Sequence, residues 1–494
     1  MRTFKQINRK VVNKLGAAMN KSLIFSCLFF LLSSQTAIAQ PAKLSARIEI
    51  TDADKIDAFV TAEMEKSHTP GLSLAIVQNG KAVYAKGYGM ANLELSVAAS
   101  ANTEYELLSV GKQFTAAAIM LVVEEHKISL NDKITLYLPN VPAVWGQVTV
   151  RNLLSHTSGI PDYTTAPDWR QNIRLDRSPQ DLIKPVMSLP FTFAPGEKWE
   201  YSNTNYYLLG MIIEKISGKS YAEYLNERIF RPLGMNGTRV NDLRDVIQNR
   251  SSGYHWQANR LQNAEYVSPT QKWAAGSVIS TANDMAIWAM SLETEKLLKK
   301  QTVQLMQTAV RLNNGEETKY GFANELDIDH GHRVAGHQGG GLAFNATLLD
   351  FPDDRLTVIV LCNLTQAPSQ KIARHIASFY LPAISDENNQ GITDTDQKLS
   401  EILKGVLIDA AKGKANADIF APESREKLIP FIQRVGPSFL GSLGELKTFS
   451  LLDERKEPQK IIRRYRAVFA NQSIIWKFEL TATGKILSME PIEE

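Results

Sequence analysis

The dipeptide Asn79-Gly80 stands between two β-rich runs, 72–78 and 81–90. Asn-Gly supplies the two positive-φ residues that a tight turn between antiparallel strands needs, so the pair predicts a hairpin. A hairpin needs further strands or helices to cover it, and the sequence offers strand candidates at 334–336, 344–350 and 356–362. Between these groups, residues 110–126 and 204–230 carry apolar residues at helical spacing. Thr51 or Asp52 can cap a helix over 53–66, ended by the breaker His68-Thr69-Pro70-Gly71, and 371–381 reads as a closing helix. Terminal helices and strands around a helical middle describe an α/β (α+β) fold: an antiparallel sheet sandwiched by helices, with an all-helical lobe inserted.

Length and composition fit this plan. The chain has 494 residues, 44% hydrophobic and 22% charged, which excludes disorder, collagen-like repeats and coiled coils as the whole answer. Its length predicts about three domains, or a large one with a small companion. Residues 385–396 turn polar (Ser-Asp-Glu-Asn-Asn-Gln-Gly) and read as a linker. Beyond it come a helix near 397–411, a variable middle, and strands at 460–470, 473–481 and 485–490, with a turn at Asn471-Gln472. Ile474, Trp476, Phe478 and Leu480 alternate with Ile475, Lys477 and Glu479, so one face of that sheet is buried. The expected division is therefore a body at 40–384 and a small α+β domain at 397–494, loosely similar to cystatin-like and nuclear-transport-factor-like add-on domains.

The first 39 residues hold six bases (Arg2, Lys5, Arg9, Lys10, Lys14, Lys21) and no acid. Lys21 precedes ten apolar-rich residues, 23–32, and then Ala37-Ile38-Ala39. Basic, apolar and small residues in that order predict a secretory signal peptide cleaved after Ala39, with Met1 or Met19 as the start. The run is too short for a membrane span of about 20 residues. Export to the periplasm or medium is expected, with no stable membrane anchor after signal removal. The net charge is +3, and removing those six bases leaves −3, so no nucleic-acid partner is expected. Of two cysteines, Cys27 leaves with the signal; Cys362 lies in an apolar strand and reads as a small core residue.

Three short motifs carry the chemistry. Ser109-Val110-Gly111-Lys112 opens an apolar helix. Residues i and i+3 share a helix face, so Lys112 lies beside Ser109. A desolvated lysine loses its proton easily and can then accept the serine's. A second pattern, Tyr201-Ser202-Asn203, follows 92 residues after Ser109. A phenol near a lysine ammonium can have its pKa lowered and relay protons, and Asn203 can hold both Lys112 and a substrate amide. The third, His337-Gln338-Gly339-Gly340-Gly341, is expected as a glycine-rich turn following the strand at 334–336. Glycines beside a strand admit a substrate backbone closely.

In this order the motifs resemble the penicillin-recognising serine hydrolases: class C β-lactamases, D-alanyl-D-alanine carboxypeptidases, D-aminopeptidases and β-lactamase-like esterases. The stretches 150–162 (Val-Arg-Asn-Leu-Leu-Ser-His-Thr-Ser-Gly-Ile-Pro-Asp), 231–235 and 275–285 are similar too, and the likeness covers 50 to about 382. The resemblance implies a β-lactamase-like fold in which Ser109 is the acylated nucleophile and Lys112 and Tyr201 form the base/acid pair. It implies that Asn203, His337, Gln338 and Gly339 bind substrate, and that the backbone N–H groups of Ser109 and Gly340 form the oxyanion hole. Gln338 stands where class C β-lactamases and carboxypeptidases place a hydroxyl residue that binds a substrate carboxylate.

Other patterns carry less. Ser424-Arg425-Glu426-Lys427 repeats the first motif in a charged segment and reads as a solvated helix face; Tyr224-Leu225-Asn226 reads as core. His156 reads as a structural turn residue, and Asp329-His330-Gly331-His332 as a hairpin turn without the ligand pattern of a metal site. Gly-x-Ser-x-Gly and phosphate-binding glycine loops are missing. The expectation is an exported serine hydrolase acting on a small-molecule or peptide amide or ester, without cofactor or metal. The competing expectation is a penicillin-binding-type sensor of negligible turnover.

Overall fold

The computed structural model describes residues 52–166, 168–385, 394–457, 459–470 and 473–492. The expected signal peptide, Thr51, most of the linker and the turn at 471–472 lie outside the described residues.

Seven strands form one fully antiparallel sheet, in the order Val97–Ala98, Lys81–Asn92, Gly71–Gln78, Leu356–Cys362, Asn345–Phe351, His332–Gly340, Glu325–Asp329. Asn79 and Gly80 take φ of 51° and 72° between Gln78 and Lys81, which the register pairs directly. Residues 71–77 and the whole of Leu356–Cys362 are buried because both faces are covered. Leu72, Leu74, Ile76, Val358, Val360 and Cys362 join the core beneath the helices Asp52–Ser67 and Ser369–Tyr380. The alternate residues Ala75, Val77, Ile359 and Leu361 join the larger core shared with the helical lobe. This is a β-lactamase-like sandwich of antiparallel sheet and helices.

The helix expected at 110–126 starts later and in two stages. Leu108–Gly111 is a short 3-10 turn that runs into the α-helix Lys112–Glu124. Every residue from Lys112 to Val122 is buried, as an all-round apolar helix must be. The stretch expected as helical over 204–230 is divided. Asn203–Ser217 stops at Gly218, whose φ of 67° caps it in the left-handed conformation, and Tyr221–Leu225 and Asn226–Phe230 follow.

The third motif corrects its expectation. His337 to Gly340 belong to the strand His332–Gly340 rather than to a turn. That strand continues beyond the pairing of its outer neighbour, which stops at Glu325 opposite Gly336. The motif therefore lies along an open sheet edge.

In the C-terminal part, the helix Gln397–Ala410 and a four-stranded antiparallel sheet enclose a core drawn from residues 399–489. Two of its elements were not foreseen: the helix Pro422–Phe439, which holds Pro430 and Pro437 in its interior, and the strand Leu446–Lys456. Ser424 sits on that helix, buried, with its hydroxyl spent on the Leu487 carbonyl at 2.8 Å.

Candidate active site

The segment entering the first motif is pinned before the helix begins. Tyr105 and Glu106 pair with Ser280 and Ile279, and Leu107 N–H donates to the Val278 carbonyl at 2.9 Å. Leu108 then takes a φ of 51°, a conformation costing a branched side chain about 1–3 kcal/mol. The surroundings hold it there: Gly341 lies against its methyl groups and Gly339 against its backbone neighbours. A Cβ on Gly339 would stand 2.2 Å from the Leu107 carbonyl oxygen, so only glycine lets the strand press against the Ser109 turn. Gly340, the next residue, has open space around it. Among the described residues no acceptor takes the Ser109 N–H.

Lys112 is fully buried and its amine touches three oxygens: Ser109 Oγ at 3.0 Å, Asn203 Oδ1 at 2.9 Å and the Ala275 carbonyl at 2.7 Å. Among the described residues no carboxylate is bonded to it. Burial pulls the amine down from 10.5 to about 7, against the weaker pull of Asp162 and Glu325. A neutral amine has two N–H donors and one lone pair. Asn203 Oδ1 and the Ala275 carbonyl can only accept, so they take both donors and leave the lone pair facing the Ser109 hydroxyl. The arrangement can therefore remove the serine proton.

Tyr201 donates its phenol O–H to Ser109 Oγ at 2.8 Å. Burial pushes this phenol well above its usual value of 10.0, with the Ser109 hydrogen bond opposing. This corrects the expectation of a lowered phenol: desolvation outweighs the Ser109 hydrogen bond, and the Glu325 and Asp162 charges raise the phenol further. Tyr201 keeps its proton and acts as a donor. Asn203 begins the helix Asn203–Ser217, and the carboxylate that satisfies this helix start is Asp162, accepting Asn203 N–H at 3.1 Å and Asn203 Nδ2–H at 2.9 Å. A carboxylate can only accept, so it fixes the amide with Oδ1 toward Lys112 and leaves one Nδ2–H for a ligand. Asp162 was quoted in the sequence without a role, because nothing local shows that it serves a helix start so far along the chain.

His156, read as a turn residue, does take a φ of 56°. It also forms the floor under the second motif. Its Nδ1 accepts Ser202 N–H at 3.2 Å, its carbonyl accepts Glu200 N–H at 3.0 Å, and its ring lies 4.3 Å from the Tyr201 ring. Full burial and the Lys112 charge hold it neutral, well below 6.5.

His337 is also buried and neutral, lowered to about 3 chiefly by desolvation. Its Nδ1–H donates to the Gln338 carbonyl at 2.7 Å, which leaves Nε2 to accept the Tyr320 O–H at 2.8 Å. Both ring nitrogens are thus engaged within the protein. The Gln338 side-chain amide has no hydrogen-bond partner among the described residues and lines a cavity of about 410 Å³ with Trp199, Tyr201, Tyr320, Glu325 and His337. Glu325 was not singled out in the sequence; an edge-strand glutamate carries no local signal. His330 and His332 bracket a hairpin turn and pair with Asp329 and Asp354, and among the described residues no group of three or more side chains could hold a metal.

The antiparallel sandwich and the Ser109–Lys112–Tyr201 cluster define a serine-hydrolase type of centre, and comparison with known proteins gives the family. The beta-lactamase family matches residues 56–380, and the chain belongs to it. The chain is 33% identical over 317 residues to penicillin-binding protein 4* of Bacillus subtilis, covering 60% of this chain and 69% of that one. It is 28% identical over 328 residues to protein flp of Staphylococcus aureus, covering 65% of each, so it spans just under two thirds of that relative. Among solved structures, the octameric penicillin-binding protein homologue from Pyrococcus abyssi matches 90% of this chain and 97% of its own, at a TM-score of 0.61 and 24% identity. A D-stereospecific amidohydrolase from Streptomyces matches 64% of this chain and 97% of its own, at 0.56 and 26%. D-amino acid amidase from Ochrobactrum anthropi matches 68% and 100%, at 0.59 and 23%. The family and these relatives make the chain a hydrolase of the serine type.

Proposed function

We propose that this chain is an exported serine hydrolase that cleaves an amide or ester through an acyl-enzyme on Ser109, as a peptidase, amidase or esterase rather than a true β-lactamase. The observation that carries the reading is the buried Lys112 amine, lowered to about 7 and 3.0 Å from Ser109 Oγ, with its other two contacts taken by carbonyl oxygens.

In the first half-reaction Ser109 Oγ bonds to the substrate's carbonyl carbon while its proton passes to Lys112 Nζ. The carbonyl oxygen becomes negative and accepts hydrogen bonds from the N–H groups of Ser109 and Gly340. As the carbon–nitrogen or carbon–oxygen bond breaks, the leaving atom takes a proton from the Lys112–Tyr201 pair, for which the protonated phenol is the donor. In the second half-reaction water attacks the acyl carbon and gives its proton to the same pair. Ser109 leaves as a hydroxyl and the acid product departs. Asn203 holds Lys112 and offers its remaining N–H to the substrate carbonyl. Gln338, a neutral amide in place of a hydroxyl, together with a neutral His337, gives a substrate carboxylate little to bind. Residues 1–39 direct export and are cleaved after Ala39, and residues 397–494 form a separate small domain.

A fluorophosphonate probe should label Ser109 in the wild type and not in Ser109→Ala. Labelling that persists in that variant would remove the assignment. A panel of D-amino acid amides, D-Ala-D-Ala peptides, short p-nitrophenyl esters and a chromogenic cephalosporin then separates turnover from a single acylation burst, the behaviour of a sensor.

A further inference from the structure

The wall of the cleft beside the third motif holds a carboxylate that the proposed reaction does not use. Glu325 opens the outermost strand, opposite Gly336. Its side chain is 48% open to solvent, lies 3.7 Å from His337 Nδ1, and lines the same cavity as Tyr201 and Gln338. The Gln338 backbone N–H donates to it, and its charge acts on both Lys112 and Tyr201. The carboxylate is therefore at the reacting end of the cleft and reachable by a ligand.

The charges around it are unevenly matched. The next two acids on the strand have cations of their own: Asp327 pairs with Lys319 at 3.4 Å and Asp329 with Arg374 at 2.7 Å. Glu325 has no charged cation within ion-pair distance among the described residues: His337, 3.7 Å away, is neutral, and the Lys112 amine acts on it only through space, its contacts being Ser109, Asn203 and Ala275. Desolvation by the cleft wall raises the Glu325 carboxyl to about 7, against the weaker pull of the Gln338 N–H and the Lys112 amine, while the side chain keeps one side open to solvent. Trp199 and Tyr320 beside it add aromatic faces, which attract cations. A carboxylate left partly desolvated and unpaired gains most from a ligand that brings the missing positive charge.

We propose that Glu325 is a specificity-determining residue that receives a substrate's primary ammonium group, so that the site favours amides and esters bearing a cationic amine over neutral ones, and neutral ones over carboxylates. This rests on the hydrolase reading above and names the substrate class of that site. Glu325 acts on binding and takes no part in bond making.

Three p-nitroanilides of one shape test it: D-alanyl (ammonium), isobutyryl (a methyl in place of the ammonium) and methylmalonyl (carboxylate). At pH 7 the wild type should prefer D-alanyl to isobutyryl in kcat/KM by about 10- to 100-fold, the range of one charge-assisted hydrogen bond. Glu325→Gln should bring that ratio to within about threefold of unity, and Glu325→Lys should turn the preference toward methylmalonyl. A merely structural role would slow all three substrates together and leave the ratios as they were, which overturns the proposal. So does a wild-type ratio near unity while Ser109 is labelled and isobutyryl anilide is cleaved; the hydrolase reading would then stand alone. If Ser109 resists the fluorophosphonate and no anilide is cleaved, the hydrolase reading falls and the ammonium subsite with it.

Discussion

Replacing Lys112 by methionine tests the charge state on which the site depends. Burial brings the folded-state pKa of Lys112 to about 7 from an ordinary 10.5. A cation whose folded pKa lies below its unfolded one destabilises the fold. The cost is fully present below pH 7 and is relieved as the pH rises from about 7 to about 10.5, where the unfolded chain binds the proton and the native state does not. At about 1.4 kcal/mol per pH unit the full cost is about 5 kcal/mol, of which about 2 kcal/mol is recovered between pH 7 and pH 9. The methionine variant lacks this titration. It also strands Asn203 Oδ1 and the Ala275 carbonyl, a loss of about 1–3 kcal/mol for each that does not depend on pH. The stability of the wild type minus that of K112M should therefore climb by about 2 kcal/mol from pH 7 to pH 9. Urea denaturation of both proteins in half-unit steps, followed on the transition that exposes the buried Trp145 and Trp288, reads this difference directly. Subtraction cancels the titrating groups that do not feel Lys112, and of those that do, His156 and His337 stay neutral across this range. A flat difference would mean that Lys112 keeps its proton in the folded state and cannot be the base. The wild-type kcat/KM should correspondingly rise with pH and level off above about 7, and K112M should lose activity by about 10³-fold or more.

Gly339→Ala forces a Cβ against the Leu107 carbonyl, a backbone atom that cannot swing away; thermal melts should show a loss of about 1–3 kcal/mol. Gly340→Ala meets open space and should melt with the wild type, so equal melting of the two variants would contradict the strand placement. Gln338→Thr should raise kcat/KM for carboxylate-bearing substrates relative to esters by about tenfold, read on a cephalosporin and a p-nitrophenyl ester. Efficient cephalosporin hydrolysis by the wild type would refute the reading of position 338. A chain cut to residues 40–384 should fold and keep most activity, because the core at 399–489 draws on its own residues alone; an insoluble or inactive product would show that the tail completes the body.

Much of the sandwich was legible in the sequence because its signals are local. The Asn79-Gly80 turn needs two adjacent residues able to take positive φ, and the continuous apolar runs of Gly71–Gln78 and Leu356–Cys362 announce strands covered on both faces. The C-terminal helix Pro422–Phe439 was hidden for the converse reason. Pro430 and Pro437 argue against a helix interior, and only packing of residues such as Ile432 into the tail core overrides that preference. The third motif was misplaced as a turn because three consecutive glycines read as a breaker. The sheet edge instead uses Gly339 to approach the Ser109 turn.

For the site, the sequence by itself determined the Ser109–Lys112 pairing, since an i, i+3 contact follows from the helical repeat, and it marked Tyr201 and Asn203 as their companions. The tertiary structure alone decided what those groups can do. The same Ser-x-x-Lys spacing at Ser424 leaves a serine whose hydroxyl is bonded to the Leu487 carbonyl, with no hydrogen bond to a tyrosine or asparagine among the described residues. The proton held by Tyr201, the lowered Lys112, the amide of Asn203 fixed by Asp162 and the unpaired Glu325 each depend on desolvation and on charges brought together from distant parts of the chain. Spacing along a chain is a property of neighbours, whereas a pKa sums over everything that surrounds a group in space.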